Sequence, residues 1–172
     1  MAAPSIRPAT IGDAAACARI YAPYVTDSVI SFEALPPDGA EFERRMAAAH
    51  VWLVAEEAGA VVGYAYGSPH KERAAYAWAA DVAIYLAASH HGQGLGRRLY
   101  EELFAALRER GMRRLCAGVT QPNAASDAIH RAMDFEEVGV YRRIGWKHGA
   151  WHDVRWYELD LHPGDDGPPP GG

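Results

Sequence analysis

His91-Gly92-Gln93-Gly94-Leu95-Gly96-Arg97 lies between a predicted strand and a strongly amphipathic predicted helix. Glycines in such a run let the backbone approach a ligand closely, and the first turn of a helix offers unpaired N–H groups to an anion. The combination predicts a cradle for a phosphate or pyrophosphate. Two nucleotide-binding readings fail on spacing. The dinucleotide fingerprint G-x-G-x-x-G is absent, and a Walker-type loop needs Lys and then Ser or Thr after its last glycine, where Arg97-Arg98 stand. Taken by itself, the run leaves a glycine turn without a ligand as the alternative.

Outward from this run the pattern is clear. Leu95, Leu99, Leu103 and Leu107 recur every four residues with Phe104 beside them, a core-facing helical stripe that Gly111 ends. A strand over 77–86 precedes the run. A strand over 114–119 and a helix from Asn123 or Ser126 to Met133 follow it. Further upstream, a strand over 5–9 leads to a helix capped by Asp13 and reaching 24. After an irregular stretch over 26–37, Asp38 with Glu41 resembles a capping box and opens a helix to 49. Apolar runs over 51–56 and 61–66, split by Glu57-Ala58-Gly59-Ala60, predict a hairpin. Closing strands are expected over 136–142 and 154–161. The predicted class is α+β: one domain over 1–161, a mostly antiparallel mixed central sheet flanked by helices. The 162–172 tail is Pro, Gly and Asp after its first residue and is expected to be disordered.

Composition narrows the function. The chain has 172 residues, 49% of them hydrophobic and 23% charged, an ordinary globular balance. A net charge of −5 gives no reason to expect nucleic acid, and no apolar run is long enough to span a membrane. Residues 1–7 lack the basic-then-apolar order of a signal peptide. Cys17 and Cys116 fall in a predicted helix and a predicted buried strand, so a disulfide is not expected and a cytoplasmic location is.

The order strand, Gln/Arg-x-x-Gly-x-Gly/Ala, helix resembles the acetyl-CoA signature of the GNAT N-acetyltransferases, here with His91 at the first position. Trp52-Leu53-Val54-Ala55-Glu56 with Val62-Gly63-Tyr64-Ala65 is similar to the central hairpin of that superfamily. Lys71-Glu72-Arg73-Ala74-Ala75-Tyr76 and Lys147-His148-Gly149-Ala150-Trp151-His152-Asp153-Val154 are more specific. They resemble phosphinothricin acetyltransferases and relatives acting on methionine sulfone and sulfoximine. The likeness extends over about residues 5–161.

The resemblance implies direct acetyl transfer from acetyl-CoA, a co-substrate, to the primary amine of a small amino-acid-like molecule, in a homodimer and without a metal. It implies that backbone N–H groups around His91, Gln93, Gly94, Gly96 and Arg97 take the pyrophosphate. Main-chain groups of Val82, Ile84 and Leu86 would pair with the pantetheine arm, and Asn123 and Ser126 would reach it from the other side. Helix capping is the alternative for Asn123 and Ser126, and a solvated helix end for Arg97 and Arg98.

Neutralising an amine of pKa about 8–10 at pH 7 costs roughly 1.4–4 kcal/mol, so a general base is useful. Asp81 stands where the resembled family has a Glu. It is one methylene shorter, which favours a bridging water. A solvent-exposed Asp at a strand bulge is the alternative. His130 matches a His that could protonate the leaving thiolate or relay a proton, with a packed helical His as the alternative.

The substrate's acidic or sulfone groups would meet Lys71, Arg73 and Tyr76, with Phe32 as a pocket wall. Lys147, His148, Trp151 and His152 would help shape that pocket. The spacing His148-x-x-x-His152 lacks a third ligand for a metal. Asp134-Phe135 replaces the family's usual Gly-Phe, so Asp134 must take a left-handed helix-ending conformation. A peptide or protein N-acetyltransferase and a non-catalytic acyl-CoA-binding module remain as other functional classes.

Overall fold

Val51, Trp52, Leu53, Val54 and Ala55 are all buried, so strand β2 (Val51–Glu57) is covered on both faces. Alternation assigns the faces. Val51, Leu53 and Ala55 join one core cluster, and Trp52 and Val54 join the other. The computed structural model describes residues 3–167. Its other strands and α-helices are β1 (Ser5–Pro8), α1 (Ala14–Thr26), α2 (Gly39–Ala48), β3 (Ala60–Pro69), β4 (Ala79–Leu86), α3 (Leu95–Glu109), β5 (Arg114–Thr120), α4 (Ala124–Ala132), β6 (Glu136–Lys147) and β7 (Ala150–Asp160). The sheet has seven strands in the order β1-β2-β3-β4-β5-β7-β6. Among the described residues only β4–β5 is parallel. The expected mixed, mostly antiparallel sheet is present.

The leucine stripe does what its period predicts. Leu99, Leu103 and Leu107 are 0% exposed, and with Phe104 they seat α3 against the sheet. On the opposite face α1 and α2 close over an aromatic cluster in which Trp52 stacks on Tyr66 at 4.4 Å. Among the described residues no helix is long and apolar enough to cross a membrane.

Local chemistry departs from expectation in three places. Asp13 does not cap α1 through its side chain. Its carboxylate accepts from the Thr10 backbone N–H and hydroxyl and from Arg7, which also donates to Glu56. Arg7 thus ties β1 to the start of α1 and to β2. Arg7 holds the Asp13 carboxyl down at about 2. The resulting stability is present in full above the ordinary carboxylate value and is lost as pH falls through about 2. Because the Arg7 side chain is 37% exposed, we expect Asp13→Asn to cost about 1–2 kcal/mol at neutral pH. Thermal unfolding across pH checks this: the gap to wild type must narrow below pH of about 4.

The closing strands are longer than predicted. β6 and β7 run to Lys147 and from Ala150, joined by His148-Gly149, both at positive φ, the geometry of a tight two-residue hairpin turn. Register shifts between Glu137 and Gly139 and between Tyr141 and Gly145 interrupt the alternation that would otherwise reveal the strand. Finally, 162–167 is not without structure. Arg113 donates to the Asp165 carboxylate and carbonyl and to the Gly167 carbonyl. Residues 168–172 of the predicted tail lie outside the described residues.

Candidate active site

The parallel β4–β5 ladder is short. Ala79, Ala80 and Asp81 pair with Arg114, Leu115 and Cys116, and pairing stops there. Beyond Asp81, β4 keeps β3 on one side and, among the described residues, has no strand on the other, while β5 continues along β7. The Ala87 N–H bonds Val62, so strand alternation turns the main-chain groups of Val82, Ile84 and Leu86 away from β3. The Leu86 pair is already engaged: its carbonyl accepts from the Tyr24 hydroxyl at 2.7 Å, and its N–H donates back to that hydroxyl at 3.3 Å. Tyr24 therefore seals one end of the opening. The Val82 carbonyl and the main-chain groups of Ile84 offer the free edge.

The same end carries the glycine run. Gly94 is the N-cap of α3 at φ 77, and the helix's first internal bond is Arg98 N–H to Gly94 carbonyl. The N–H groups ahead of Arg98 are thus unpaired by the helix. Gln93 braces the turn by donating to Ser89, and the His91 ring sits 2.9 Å from Tyr24 Oη and 3.2 Å from the Leu86 carbonyl. Arg97 pairs with Glu101 at the surface and Arg98 donates to Pro4. Behind the run, Gly96 faces Ile84 and Ile129 so closely that a Cβ would meet them at 3.1 and 3.2 Å.

Asp81 stands where the two strands part. It has a partner that the sequence did not suggest: His70, whose Nδ1 lies 2.6 Å from Asp81 Oδ1. β3 ends with Ser68 and Pro69 opposite Asp81 and Ala80, which delivers the next residue, His70, to the carboxylate. Burial raises the Asp81 pKa above the usual carboxylate value, and the His70 bond and the charge of Lys71 oppose that rise. Cys116 completes the cluster; donor atoms of all three side chains lie within 4.8 Å of one another.

The predicted acceptor residues gather beside this pair. Pro69, His70, Lys71, Glu72, Arg73 and Tyr76 line an open depression of about 590 Å³. Lys71 and Arg73 are exposed, and Tyr76 lies edge-on to His70 at 5.9 Å. Phe32 comes from the segment after α1 and packs over Gly145, where any Cβ would collide with its ring. Lys147 fixes that segment by donating to the Val25 and Ser31 carbonyls at 2.5 and 2.7 Å. His148 Nε2 lies 3.3 Å from the Ser28 carbonyl and His152 Nε2 3.0 Å from the Lys147 carbonyl, so the first ring ties the hairpin to the segment after α1 and the second stays within the hairpin.

Two predicted residues have different surroundings. His130 is 3% exposed and stacks on Tyr157 with planes 8° apart. Its Nδ1 is 2.7 Å from the Ser126 carbonyl and its Nε2 is 3.2 Å from Tyr100 Oη. A carbonyl only accepts, so the Nδ1 proton is committed to it, and burial lowers the His130 pKa. These are the surroundings expected of a packed helical His. Asn123 caps α4 by accepting from the Ser126 N–H, which leaves its amide nitrogen without a partner among the described residues.

A sheet that opens beside a glycine-rich helix start is a fold-level signature, and the family comparison agrees with it. The Acetyltransferase (GNAT) family profile matches residues 16–135. The chain belongs to the GNAT acetyltransferase family. As a GNAT enzyme it is an acetyl-CoA-dependent acetyltransferase. It is 36% identical to a phosphinothricin N-acetyltransferase of Streptomyces viridochromogenes, over 91% of this chain and 87% of that one. It is 30% identical to an L-methionine sulfoximine/L-methionine sulfone acetyltransferase of Salmonella typhimurium, over 91% of this chain and 94% of the relative. The crystal structure of a GNAT superfamily phosphinothricin acetyltransferase from Sinorhizobium meliloti in complex with acetyl-CoA superposes with a TM-score of 0.93 at 32% identity, covering 99% of this chain and 95% of that one. The geometry suits acetyl-CoA: a free strand edge for amides, unpaired N–H groups for phosphates, and a glycine where a side chain would crowd the helix against β4.

Proposed function

We propose that this GNAT enzyme acetylates the primary amine of a small amino-acid-like substrate of the phosphinothricin, methionine sulfone or methionine sulfoximine class. The observation that carries the reading is the His70–Asp81 pair at the parting of β4 and β5, beside a depression rimmed by the cations Lys71 and Arg73. Acetyl-CoA supplies the acetyl thioester. The backbone N–H groups from Gln93 to Arg97 hold its phosphates, aided by the α3 dipole. The edge of Val82 and Ile84 orients its arm. Lys71 and Arg73 bind the acceptor's carboxylate and its phosphinate or sulfone, with Tyr76 and Phe32 as walls.

The Asp81 carboxylate drives loss of a proton from the ammonium. The neutral nitrogen forms a bond to the acetyl carbon, and the carbon–sulfur bond breaks with its electron pair on sulfur. Acetylation removes the positive charge of an amino-acid analogue, which accords with detoxification in the cytoplasm. The test is a panel of L-phosphinothricin, methionine sulfone, methionine sulfoximine and model peptides, following free thiol. Turnover of the small amines is expected. Turnover of peptides alone, or acetyl-CoA binding with no turnover, overturns the reading.

A homodimer belongs to the same proposal. β6 is an edge strand, and with the turn end of β7 it exposes Val138, Tyr141, Ile144, Trp146 and Trp151. So much apolar surface on one hairpin supports pairing with a second copy. Light scattering should give twice the chain mass.

A further inference from the structure

We propose that the Nε2 atom of His70 takes the proton from the substrate ammonium, with Asp81 holding the ring rather than touching the amine. The inference rests on the acetyl-transfer reading above and identifies the atom that acts. A carboxylate 2.6 Å from Nδ1 accepts a proton from it, so the neutral ring carries its hydrogen on Nδ1 and its lone pair on Nε2. Nε2 has no hydrogen-bond partner among the described residues. The ring is held edgewise by Tyr76 at 5.9 Å and Trp156 at 6.4 Å, yet 18% of the side chain is exposed. That exposed part lines the acceptor depression.

Asp81 is too short a side chain to serve both ends. His70 lengthens it by a ring, which restores the reach lost with the missing methylene. The groups facing His70 are Asp81 on β4, Cys116 on β5, Lys71 and Tyr76 in its own loop and Trp156 on β7. Burial pushes the Cys116 thiol up to about 11, so it adds no competing charge. The donor types of the cluster would also suit a soft divalent ion. The 2.6 Å Nδ1–Oδ1 contact is instead that of two atoms sharing a proton.

The proton balance closes. The ammonium gives one proton to Nε2, and the imidazolium formed is stabilised by Asp81. Nitrogen bonds the acetyl carbon, sulfur leaves with the electron pair, and the nitrogen's second proton neutralises the thiolate. His70 then returns its proton to water.

The experiment compares wild type, His70→Ala, His70→Gln and His70→Ala/Asp81→Glu on the best amine of the panel. Both single variants should lose at least 100-fold in kcat with KM for acetyl-CoA held within about twofold. Added imidazole should restore His70→Ala at least tenfold, with the restored rate following the fraction of neutral imidazole as pH changes. The double variant, whose longer carboxylate reaches the amine itself, should exceed His70→Ala. A packing role predicts none of these restorations. If folded His70→Ala or His70→Gln keeps activity within about threefold of wild type, or imidazole restores nothing, the assignment is wrong. If wild type itself acetylates no amine, the acetyl-transfer reading has failed instead.

Discussion

Asp81→Asn lowers kcat by about 10²–10⁴-fold while acetyl-CoA binding stays within twofold of wild type. Asparagine keeps the shape of the side chain and removes its charge. The His70 ring then loses the group that fixes its tautomer and stabilises its protonated form, and the amine keeps its proton. The pyrophosphate turn and the free edge of β4 are untouched, so binding of the cofactor is not. The wild-type rate should fall on the acid side as the His70–Asp81 pair takes up a proton. Because burial raises the Asp81 pKa, that fall begins at higher pH than for an ordinary carboxylate. The stability sign is opposite to that of Asp13. Stability from protonated Asp81 is complete below the unfolded value and is lost as pH rises through the raised folded value, so the charged form works against folding at neutral pH. Asp81→Asn should therefore not lower Tm at pH 7. A variant with near-wild-type kcat would remove Asp81 from the mechanism.

Gly94→Val raises KM for acetyl-CoA at least tenfold, whereas Gly94→Asn stays within about threefold. Gly94 holds φ at 77, and a Cβ placed there meets nothing within 4 Å. Space is therefore not the constraint; conformation is. A left-handed residue costs about 1–2 kcal/mol for ordinary side chains and more for β-branched ones, while Asn tolerates it. Valine would pull the turn toward negative φ and swing the N–H groups of α3 away from the phosphates. The tenfold change corresponds to about 1.4 kcal/mol. KM for the amine should not move, because Lys71, Arg73 and Tyr76 lie on another loop. Steady-state kinetics with each substrate varied in turn separates the two effects. Equal behaviour of the two variants would show that the turn does not act through its geometry.

The leucine stripe of α3 and the hairpin around Ala58-Gly59 were legible because their signals are local: a period, or a turn pair. Asp134 takes φ 63, the left-handed conformation that its place after α4 required. The His70–Asp81 contact was not legible. It depends on the register that sets Ser68 opposite Asp81, and the loop over 70–78 hides that register from alternation alone. Counting back along the antiparallel pair would have found it once one cross-strand pair was known. Tyr24 and His91 meet across 67 positions, again through tertiary packing. His130 was legible as a helical residue but not with its neighbours. The Ser126 carbonyl, one helical turn back, and Tyr100, 30 positions away, decide which ring nitrogen holds the proton, and the second lies beyond what spacing encodes. Arg113 likewise gathers the start of the tail through bonds that composition does not predict.

The short β4–β5 ladder has a thermodynamic consequence. Three residue pairs join the half-sheet β1–β4 to the half-sheet β5–β7, so the seam between them is the shortest ladder of the sheet. On the proposed reading, a thioester whose amide-bearing arm runs along Val82 and Ile84 would add rungs to that seam and bind only the folded state. Folding free energy then rises with the concentration of the acyl donor, by about 2.7 kcal/mol at a hundred times its dissociation constant. The catalyst is sturdiest when its donor pool is full, and depletion of that pool weakens the two halves' hold on each other as well as slowing the chemistry.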